Sequence, residues 1–417
     1  MSRALRTSIV AACLLAVLSA TAWAVGGPRA HHGAGGAKAA KAKRAKKHHR
    51  RHRDRRGGRS RYARAERHRS RGSQTRKPPV RQPPVKRPPV KQPPVKQPPV
   101  KQPPVLQPPV TQPAIDPFAV VAPLPAGTKP FAPTSVWDAP VPADAPLAAD
   151  SARLSAALAD EHRKEVAGNY GPWINTTEWS IAVYTVGASV PTVRVKLDNN
   201  APALANDFAA VPMPADAKAA GGGDKSLVVY QPATDTLWEF WLAGRQADGW
   251  HAVWGGKMTN ASKNPGYFQS PWGGSGTSLA LLGGLLTIEE LRTQRIDHAL
   301  AIAIPNTAAG TVTWPAQRGD GRTTGPTAIP EGTRFRVDPS LDLTKLGLSP
   351  LGLALARAAQ RYGLIVRDTS SNIAFYAEDP APTGSNPYST LFGGRWPNEL
   401  LNEIPWDHLQ AVAPPKA

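Results

Sequence analysis

Cysteine is almost absent from this 417-residue sequence, in which Cys13 is the single example. One cysteine cannot form a disulfide within the chain, and Cys13 falls in a segment that we expect to be removed on export. The sequence therefore excludes a disulfide framework, a cysteine-ligated metal centre and, in the exported protein, a thiol nucleophile.

Acidic residues are scarce in the first part of the chain. Residues 1–113 hold 28 Lys and Arg against two acidic residues, Asp54 and Glu66, whereas residues 114–417 hold 23 basic and 28 acidic residues, a formal charge of −5. The positive charge of the chain therefore belongs to its first part. Because specific nucleic-acid binding needs basic residues interleaved with aromatics in a folded domain, we expect no specific nucleic-acid partner.

A short apolar run near the beginning, Ile9 to Ala20, follows Arg3 and Arg6 and precedes the small residues of Ala22-Trp-Ala24. This pattern predicts an export signal over residues 1–24. An uncleaved membrane anchor is the alternative, but the run is short for a span of ~20 residues, so we expect no stable transmembrane anchor. The signal predicts a bacterial protein that is secreted or associated with the cell wall.

The next two segments are a basic arm, residues 25–77, and a proline-rich linker, residues 78–113. Between residues 31 and 77 the arm has one aromatic residue, Tyr62, so it is expected to be disordered and to attract anionic cell-wall or extracellular polymers. A merely solubilising tail is the alternative. The linker repeats Pro-Pro-Val seven times with a period of five, which predicts a polyproline II rod of roughly 110 Å. A PxxP ligand for an SH3-like groove is the alternative for this segment.

Residues 114–417 carry eleven of the twelve tryptophans and alternate short apolar runs with turn residues. This pattern predicts a single mainly β domain, of β-sandwich or jelly-roll type with a few short helices. A meander of three antiparallel strands is expected over Ser226–Tyr230, Leu237–Leu242 and Gly249–Trp254, the last ending in a turn at Gly255-Gly256. A strand pair is expected over 364–367 and 373–376.

Other patterns predict helices and one strongly buried strand. The spacing of apolar residues predicts helices over 151–161 and 351–362, and a capping box at Thr287 predicts a short helix to Arg292. The run 296–304 predicts a buried strand with His298, Leu300, Ile302 and Ile304 on one face, and with Asp297 and the alanines on the other. Residues 198–223, rich in Asn, Ala, Pro and Gly, are expected to form a surface loop, and the Gly-rich segment 273–278 is expected to form a tight turn rather than an anion cradle.

Four residues are the candidates for catalysis: Asp224, Glu239, Asp297 and His298. Asp224 follows a triple glycine, Glu239 lies within the aromatic meander, and His298 begins an apolar strand beside Asp297. A pair of carboxylates separated by ~5–9 Å is what glycoside hydrolysis requires. Other carboxylates that could contribute are Glu178, Asp320 and Asp407. No His or Asp spacing indicates a metal site, and no cofactor motif is present.

Tryptophans are the candidates for ligand binding, because an indole offers a large flat surface to the C–H face of a sugar ring. Those placed to line a groove are Trp241, Trp250, Trp254 and Trp272. The patterns therefore predict an envelope protein whose domain binds or processes polysaccharide. It would be an enzyme similar to a glycoside hydrolase or polysaccharide lyase, or alternatively a glycan-binding or structural module without catalysis.

Several motifs between residues 131 and 410 are distinctive. They are Thr134-Ser-Val-Trp-Asp138, Leu227–Trp241, Gly249–Gly256, Arg295-Ile-Asp-His-Ala-Leu300, Trp314-Pro-Ala316 and Pro405-Trp-Asp-His-Leu409. By these motifs the domain resembles an uncharacterised family of secreted actinobacterial proteins. No activity or catalytic residue is established for that family, so the resemblance implies secretion and no particular chemistry.

Overall fold

The computed structural model describes residues 120–121, 124–125 and 127–415. The predicted export signal (1–24), basic arm (25–77) and proline-rich linker (78–113) all lie outside the described residues. Within the part that is described, no helix is both long and apolar enough to cross a membrane.

Strands dominate this part of the chain, which confirms the prediction of a mainly β fold. In chain order the strands are β1 (Val120–Val121), β2 (Trp173–Asn175), β3 (Ala182–Val186), β4 (Val195–Leu197), β5 (Leu227–Gln231), β6 (Thr236–Trp241), β7 (Gly244–Gln246), β8 (Gly249–Ala252), β9 (Trp254–Thr259), β10 (Leu300–Ile304), β11 (Thr307–Val312), β12 (Ile329–Glu331), β13 (Arg334–Val337), β14 (Leu364–Thr369), β15 (Ala374–Tyr376) and β16 (Leu409–Val412). The helices are α1 (Ser151–Gly168), α2 (Pro202–Asp207), α3 (Ile288–Thr293), α4 (Pro350–Arg361), α5 (Tyr388–Leu391) and α6 (Pro397–Leu401).

Two mixed sheets carry most of the strands. One has the order β1-β3-β5-β6-β9 and the other the order β16-β13-β14-β10-β15-β2. Each contains parallel neighbours, β3 with β5 in the first and β10 with β14 in the second. Two smaller sheets, β11-β12 and β4-β8-β7, complete the described structure.

A shared core joins the two main sheets. Val183 and Val228 of the first sheet belong to the same buried cluster as Ala301 and Ile365 of the second. On β10 the alanines face this cluster, while Leu300, Ile302 and Ile304 face a second cluster that includes α4. The predicted division of β10 into a large and a small face is therefore confirmed, although the strand begins at Leu300 rather than at Ile296.

The predicted meander is correct for its hairpin and wrong for its third strand. β5 and β6 pair antiparallel, but Gly249–Ala252 joins the small sheet with β4 and β7, and β9 is the strand that pairs with β6. Gly255 and Gly256 are strand residues rather than a turn. A Cβ on Gly255 would lie 2.0 Å from the Glu239 carbonyl oxygen, so glycine is present because the neighbouring strand comes too close for a side chain.

The expectation of a surface loop over 198–223 is wrong. This segment contains α2, and it buries Leu204, Phe208, Val211 and Met213 against the first sheet. Leu204 lies in α2, Phe208 caps its C-terminus, and Val211 forms an isolated antiparallel bridge with Val193. The many Asn, Ala, Pro and Gly residues around these apolar positions concealed that they are buried.

The helices are close to those predicted. α4 begins at Pro350 and is followed by Gly363 with a φ of +94°, and α3 has the capping box between Thr287 and Glu290. α1 is longer than the predicted 151–161, because polar residues continue it to Gly168, where Asn169 ends it in a left-handed conformation. The spacing of apolar residues predicts only the part of a helix that packs against the core.

The last two predicted strands are present, as β14 and β15, but they do not pair with each other. β10 lies between them, parallel to β14 and antiparallel to β15. A strand that is apolar on both faces is most stable where both faces and both edges are covered. β10 therefore lies between β14 and β15 in the sheet, and the loop at 370–372 crosses over its end to connect those two strands.

The variant Leu204→Ala tests whether residues 198–223 are packed in the core. Leu204 is 1% exposed, so truncation should lower the free energy of unfolding by about 2–5 kcal/mol. Leu346→Ala is the matched control, because Leu346 is 42% exposed and its truncation should cost less than about 0.5 kcal/mol. Urea unfolding measures both free energies. If both variants lost the same small amount of stability, residues 198–223 would not be packed in the core.

Candidate functional site

A cleft of about 210 Å³ lies where strand ends of the two main sheets meet. We call it the carboxylate cleft, after the acidic side chains in it. The polar and aromatic residues that line it are Asn199, Asp224, Ser226, Trp241, Trp254, Ser275, Arg318, Asp320, Arg367, Asp368, Thr369 and Tyr376. Its volume is below the ~300–1,000 Å³ of sites for drug-sized ligands, so it suits a small ligand or one unit of a longer chain.

Two tryptophans form the aromatic wall of the cleft. Trp241 ends β6 and lies directly opposite Trp254, which begins β9. The indole N–H of Trp241 donates a hydrogen bond to Asp224 Oδ1 at 3.2 Å, and Trp254 stacks on Trp272 with ring centroids 5.4 Å apart. These contacts fix the orientation of both indoles and of the Asp224 carboxylate.

A β-bulge brings two charged residues to the cleft from one strand. Along β10 and β14, Ile302 pairs with Val366 and Ala303 pairs with Asp368, so Arg367 is an extra residue without a partner in this register. In a regular strand, consecutive side chains point to opposite faces. Arg367 and Asp368 nevertheless both line the cleft, because a bulge changes the direction of the side chains next to it.

Gly276 determines how closely the acidic side chains approach the Gly-rich segment 273–278. Its N–H donates to Asp368 Oδ2 at 3.2 Å. A Cβ on Gly276 would lie 2.9 Å from Asp368 Oδ1 and 3.0 Å from Asp320 Oδ1. Glycine therefore fits between the two carboxylates without displacing them, whereas a side chain would crowd both. The segment is the tight turn that was predicted, but its role is to support acidic side chains.

Two arginines hold this region: Arg318 contacts the Gly-rich segment, and Arg367 contacts the residues that follow it. Arg318 donates to the carbonyl of Ser275 at 2.6 Å and to the hydroxyl of Ser278 at 3.0 Å. Arg367 donates to the carbonyls of Leu281 and Gly283, and its guanidinium lies 3.8 Å from the centre of the Tyr376 ring. The loop is therefore fixed by cationic side chains as well as by its own turn.

Three acidic side chains converge beside this loop: Asp320, Glu331 and Asp368. No ion pair found in the described part of the chain includes any of them. Burial, followed by repulsion from the neighbouring carboxylates, raises the pKa of Glu331 and of Asp368. Burial also raises the pKa of Asp224, against the opposing effect of the Trp241 hydrogen bond.

Glu239 lies beneath the cleft rather than in it. Its side chain is 0% exposed, and its carboxylate accepts hydrogen bonds from the amides of Gly274 at 2.6 Å and Leu281 at 2.7 Å. Burial raises the pKa of Glu239 to about 7 in spite of these bonds. The geometry assigns Glu239 to positioning the Gly-rich segment, whereas the other predicted carboxylate of this region, Asp224, lines the cleft.

The four predicted ligand-binding tryptophans have different positions. Trp241 and Trp254 line the carboxylate cleft. Trp272 supports Trp254 from behind and borders a shallow depression with Tyr267. Trp250 is 5% exposed and packs in the core between the first main sheet and α2.

Asp297 and His298 line a separate cavity of about 410 Å³. His298 Nδ1 is 2.7 Å from the carbonyl oxygen of Ala299, and its Nε2 is 2.9 Å from Glu290 Oε1. Both neighbours accept hydrogen bonds, so the ring is held as an imidazolium. Asp297 pairs with Arg295 at 2.5 Å. The structure therefore does not bring these two residues together with Asp224 and Glu239.

Sequence reasoning did not select Glu331, Arg318, Arg367 or Asp368, and it placed Asp320 only among further carboxylates. Asp368 follows the strand predicted over 364–367, and Asp320 lies between two glycines. Polar residues at strand ends and Gly-flanked acids are weak signals of a site. They become informative only once the strand order is known.

We expect the ion pair between His298 and Glu290 to make stability depend on pH. Burial lowers the pKa of His298, but the Glu290 carboxylate more than offsets this and raises it to about 9, while His298 lowers the pKa of Glu290 against the effect of burial. A raised histidine pKa stabilises the fold fully below pH ~6.5, and this contribution is lost as the pH rises towards 9. The lowered pKa of Glu290 stabilises the fold above pH ~4.5 and is lost in more acidic solution.

His298→Gln should therefore reduce the free energy of unfolding more at pH 6 than at pH 9.5. His408→Gln is the control, since His408 is exposed and its replacement should have little effect at either pH. Denaturant unfolding at the two pH values measures the difference. A loss on His298→Gln that is equal at both would contradict the ion-pair assignment.

Comparison with known proteins gives no relative for this chain. No family model matches it, and the searches of curated proteins and of solved structures likewise found no match. The carboxylate cleft is therefore the basis on which a function can be assigned.

Proposed function

We propose that the domain at 114–417 binds or processes polysaccharide, with the carboxylate cleft as its saccharide site. The single observation that carries this proposal is the meeting of two indoles, Trp241 and Trp254, with three carboxyl groups, Asp224, Asp320 and Asp368, around one cleft. A sugar unit has an apolar C–H face, which packs on an indole, and hydroxyls, which need polar partners.

Binding would use the two surfaces of the cleft differently. The C–H face of a sugar unit would pack on the indole of Trp241, which is partly exposed, while carboxylates accept hydrogen bonds from the hydroxyls. Because Trp241 and Asp224 are already joined by a hydrogen bond, little side-chain ordering would accompany binding. Such preorganisation favours affinity.

Catalysis would require one carboxyl to give a proton and another to act as base or nucleophile. Asp224 has the position for the proton donor, since it lines the cleft beside Trp241. Asp320 or Asp368 would supply the second carboxylate. This arrangement supports an enzyme similar to a glycoside hydrolase or polysaccharide lyase. The alternative is a module that binds glycan in the same cleft without cleaving it.

The rest of the proposal concerns location. We propose that the protein is secreted or wall-associated, with the arm at 25–77 binding anionic envelope polymers and the linker at 78–113 acting as a spacer. The separation of charge supports this division, since the net +26 of residues 1–113 contrasts with −5 for residues 114–417. A cationic segment attracts anionic polymers, while a domain with a slight negative charge is free to bind a different ligand.

For the fold we propose a β-sandwich with mixed sheets. The buried cluster shared by the two main sheets supports a sandwich, because two sheets packed face to face enclose a common core. Jelly rolls are built from antiparallel strands. Three strand pairs are parallel: β3 with β5, β10 with β14, and β15 with β2. These pairs favour a mixed β-sandwich over a jelly roll.

Retention of the full chain on immobilised envelope polysaccharides tests the proposal. About 1 M NaCl shortens the range of electrostatic interactions to ~3 Å, so binding through the basic arm is suppressed and binding through the cleft remains. We expect Trp241→Ala to weaken retention at least about tenfold, as is typical for the loss of a central aromatic contact. Trp396→Ala is the control, because Trp396 is 67% exposed and does not line the cleft.

Product release from the same polymers separates the two forms of the proposal. If the domain is an enzyme, Asp224→Asn should retain the polymer and release no oligosaccharide, because a neutral amide cannot give the proton. Retention without release by the unmodified chain would favour the non-catalytic module. If no polymer is retained, or if Trp241→Ala and Trp396→Ala behave alike, the cleft is not the saccharide site.

A further inference from the structure

Asp320, Glu331 and Asp368 come from three separate segments and meet at one point. Asp320 precedes β12, Glu331 ends it, and Asp368 lies in β14. One carboxylate oxygen from each residue lies within 4.8 Å of the corresponding oxygens of the other two. Like charges so close repel strongly, so either a bound cation or shared protons must offset the charge of the cluster.

Glu331 provides a separate observation that points to a ligand. Its side chain is 0% exposed. Its Oε2 accepts the amide N–H of Asp320 at 2.9 Å and that of Gly321 at 3.4 Å, whereas its buried Oε1 has no hydrogen-bond partner among the described residues. The buried Oδ1 of Asp320 also has none there. Buried carboxylate oxygens without a partner are costly, unless a cation or a proton occupies the space beside them.

We propose that these three carboxylates bind one divalent cation of the size of calcium. Oxygen ligands surround Ca²⁺ at ~2.3–2.6 Å, so two ligands on opposite sides of the ion are up to ~5 Å apart. A mutual separation within 4.8 Å fits ligands on one such sphere. Carboxylate oxygens are the ligands that hard cations prefer.

The surrounding residues support a cation here rather than a cationic side chain. Arg367 donates through Nη1 to the carbonyls of Leu281 and Gly283, and its guanidinium lies over the ring of Tyr376. Its Nε and Nη2 have no hydrogen-bond partner among the described residues, so this arginine forms no hydrogen-bonded pair with the three carboxylates there. The amides that flank Asp320 hold Glu331 by Oε2, which leaves Oε1 for the ion. Gly276 leaves the space in which Asp320 and Asp368 approach each other.

This inference can be tested without the proposed saccharide function. A cation at Asp320, Glu331 and Asp368 would leave Asp224 as the carboxyl available to a ligand of the cleft. Because the ion would occupy Asp320 and Asp368, the cation-bound cleft would bind saccharide without the second carboxylate that catalysis needs. The experiment therefore measures stability and ion binding in the absence of polysaccharide. If no calcium binds, the retention experiment can still succeed, and if no polysaccharide is retained, calcium can still bind.

The test is the thermal unfolding of the full chain, freed of metal by a chelator, during titration with CaCl₂. We expect the melting temperature to rise with the logarithm of the calcium concentration, as it does when a ligand binds only the folded state. Isothermal titration calorimetry should give one Ca²⁺ per chain. Calcium is the suitable probe, because the histidines at 31–68 of the arm are nitrogen ligands that suit zinc instead. NaCl at equal ionic strength controls for screening.

Two variants locate the site. Glu331→Gln and the more conservative Asp320→Asn, at a partly exposed position, should each weaken calcium binding at least about tenfold. Glu378→Gln is the matched control, because Glu378 is a buried acid 1% exposed, whose oxygens accept the amides of Leu124 and Ile288 outside the cluster. It should keep the calcium response even if its own melting temperature falls.

Two results would overturn the proposal. One is a melting temperature of the unmodified chain that does not respond to millimolar calcium, which would mean that shared protons neutralise the three carboxylates. The other is a calcium response that persists in both Glu331→Gln and Asp320→Asn, which would place the ion elsewhere. A response that is lost in these two variants and kept in Glu378→Gln supports the site.

Discussion

The buried carboxylate of Glu239 is the contact on which the arrangement of the cleft depends. It joins the middle of β6 to the amides of Gly274 and Leu281, so the Gly-rich segment is attached to the strand that carries Trp241. A buried acid is costly unless its oxygens are satisfied. Here two short hydrogen bonds offset the desolvation of the carboxylate. They also link the aromatic wall of the cleft rigidly to its acidic side.

The second constraint is the close approach of the two main sheets around β10. The alanines of this strand face the first sheet, and its larger residues face α4. Small side chains on the inner face allow the sheets to come together, and the bulge opposite Ala303 then gives Arg367 and Asp368 access to the same cleft. Packing in the core therefore decides where the charged residues of the site can lie.

Sequence reasoning predicted the features that depend on neighbouring residues. The hairpin of β5 and β6, the faces of β10 and the caps of α3 and α4 follow from local spacing and turn chemistry. Asp224 and Trp241 were found for the same reason, since they lie on either side of one hairpin. The errors at 198–223 and 249–256 arose where buried apolar residues or crowded glycines occur among residues that usually form loops.

The acidic cluster could not be predicted in this way. Asp320, Glu331 and Asp368 meet because Gly332 and Thr333, directly after Glu331, hydrogen-bond to Val366 of β14, and because β14 contains an extra residue before Asp368. Neither the strand order nor the bulge leaves a periodic signal in the sequence. His298 shows the opposite error, because a histidine beside an aspartate suggested catalysis, while its actual partner is Glu290 on α3.

The place of Gly276 between two acids has a consequence for how this protein can vary among organisms. A Cβ at 276 would come within 2.9 Å of Asp368 Oδ1 and 3.0 Å of Asp320 Oδ1, so a side chain there would displace both carboxylates. Variation at position 276 is therefore coupled to the two acids, and substitution of this glycine would disturb the acidic cluster first.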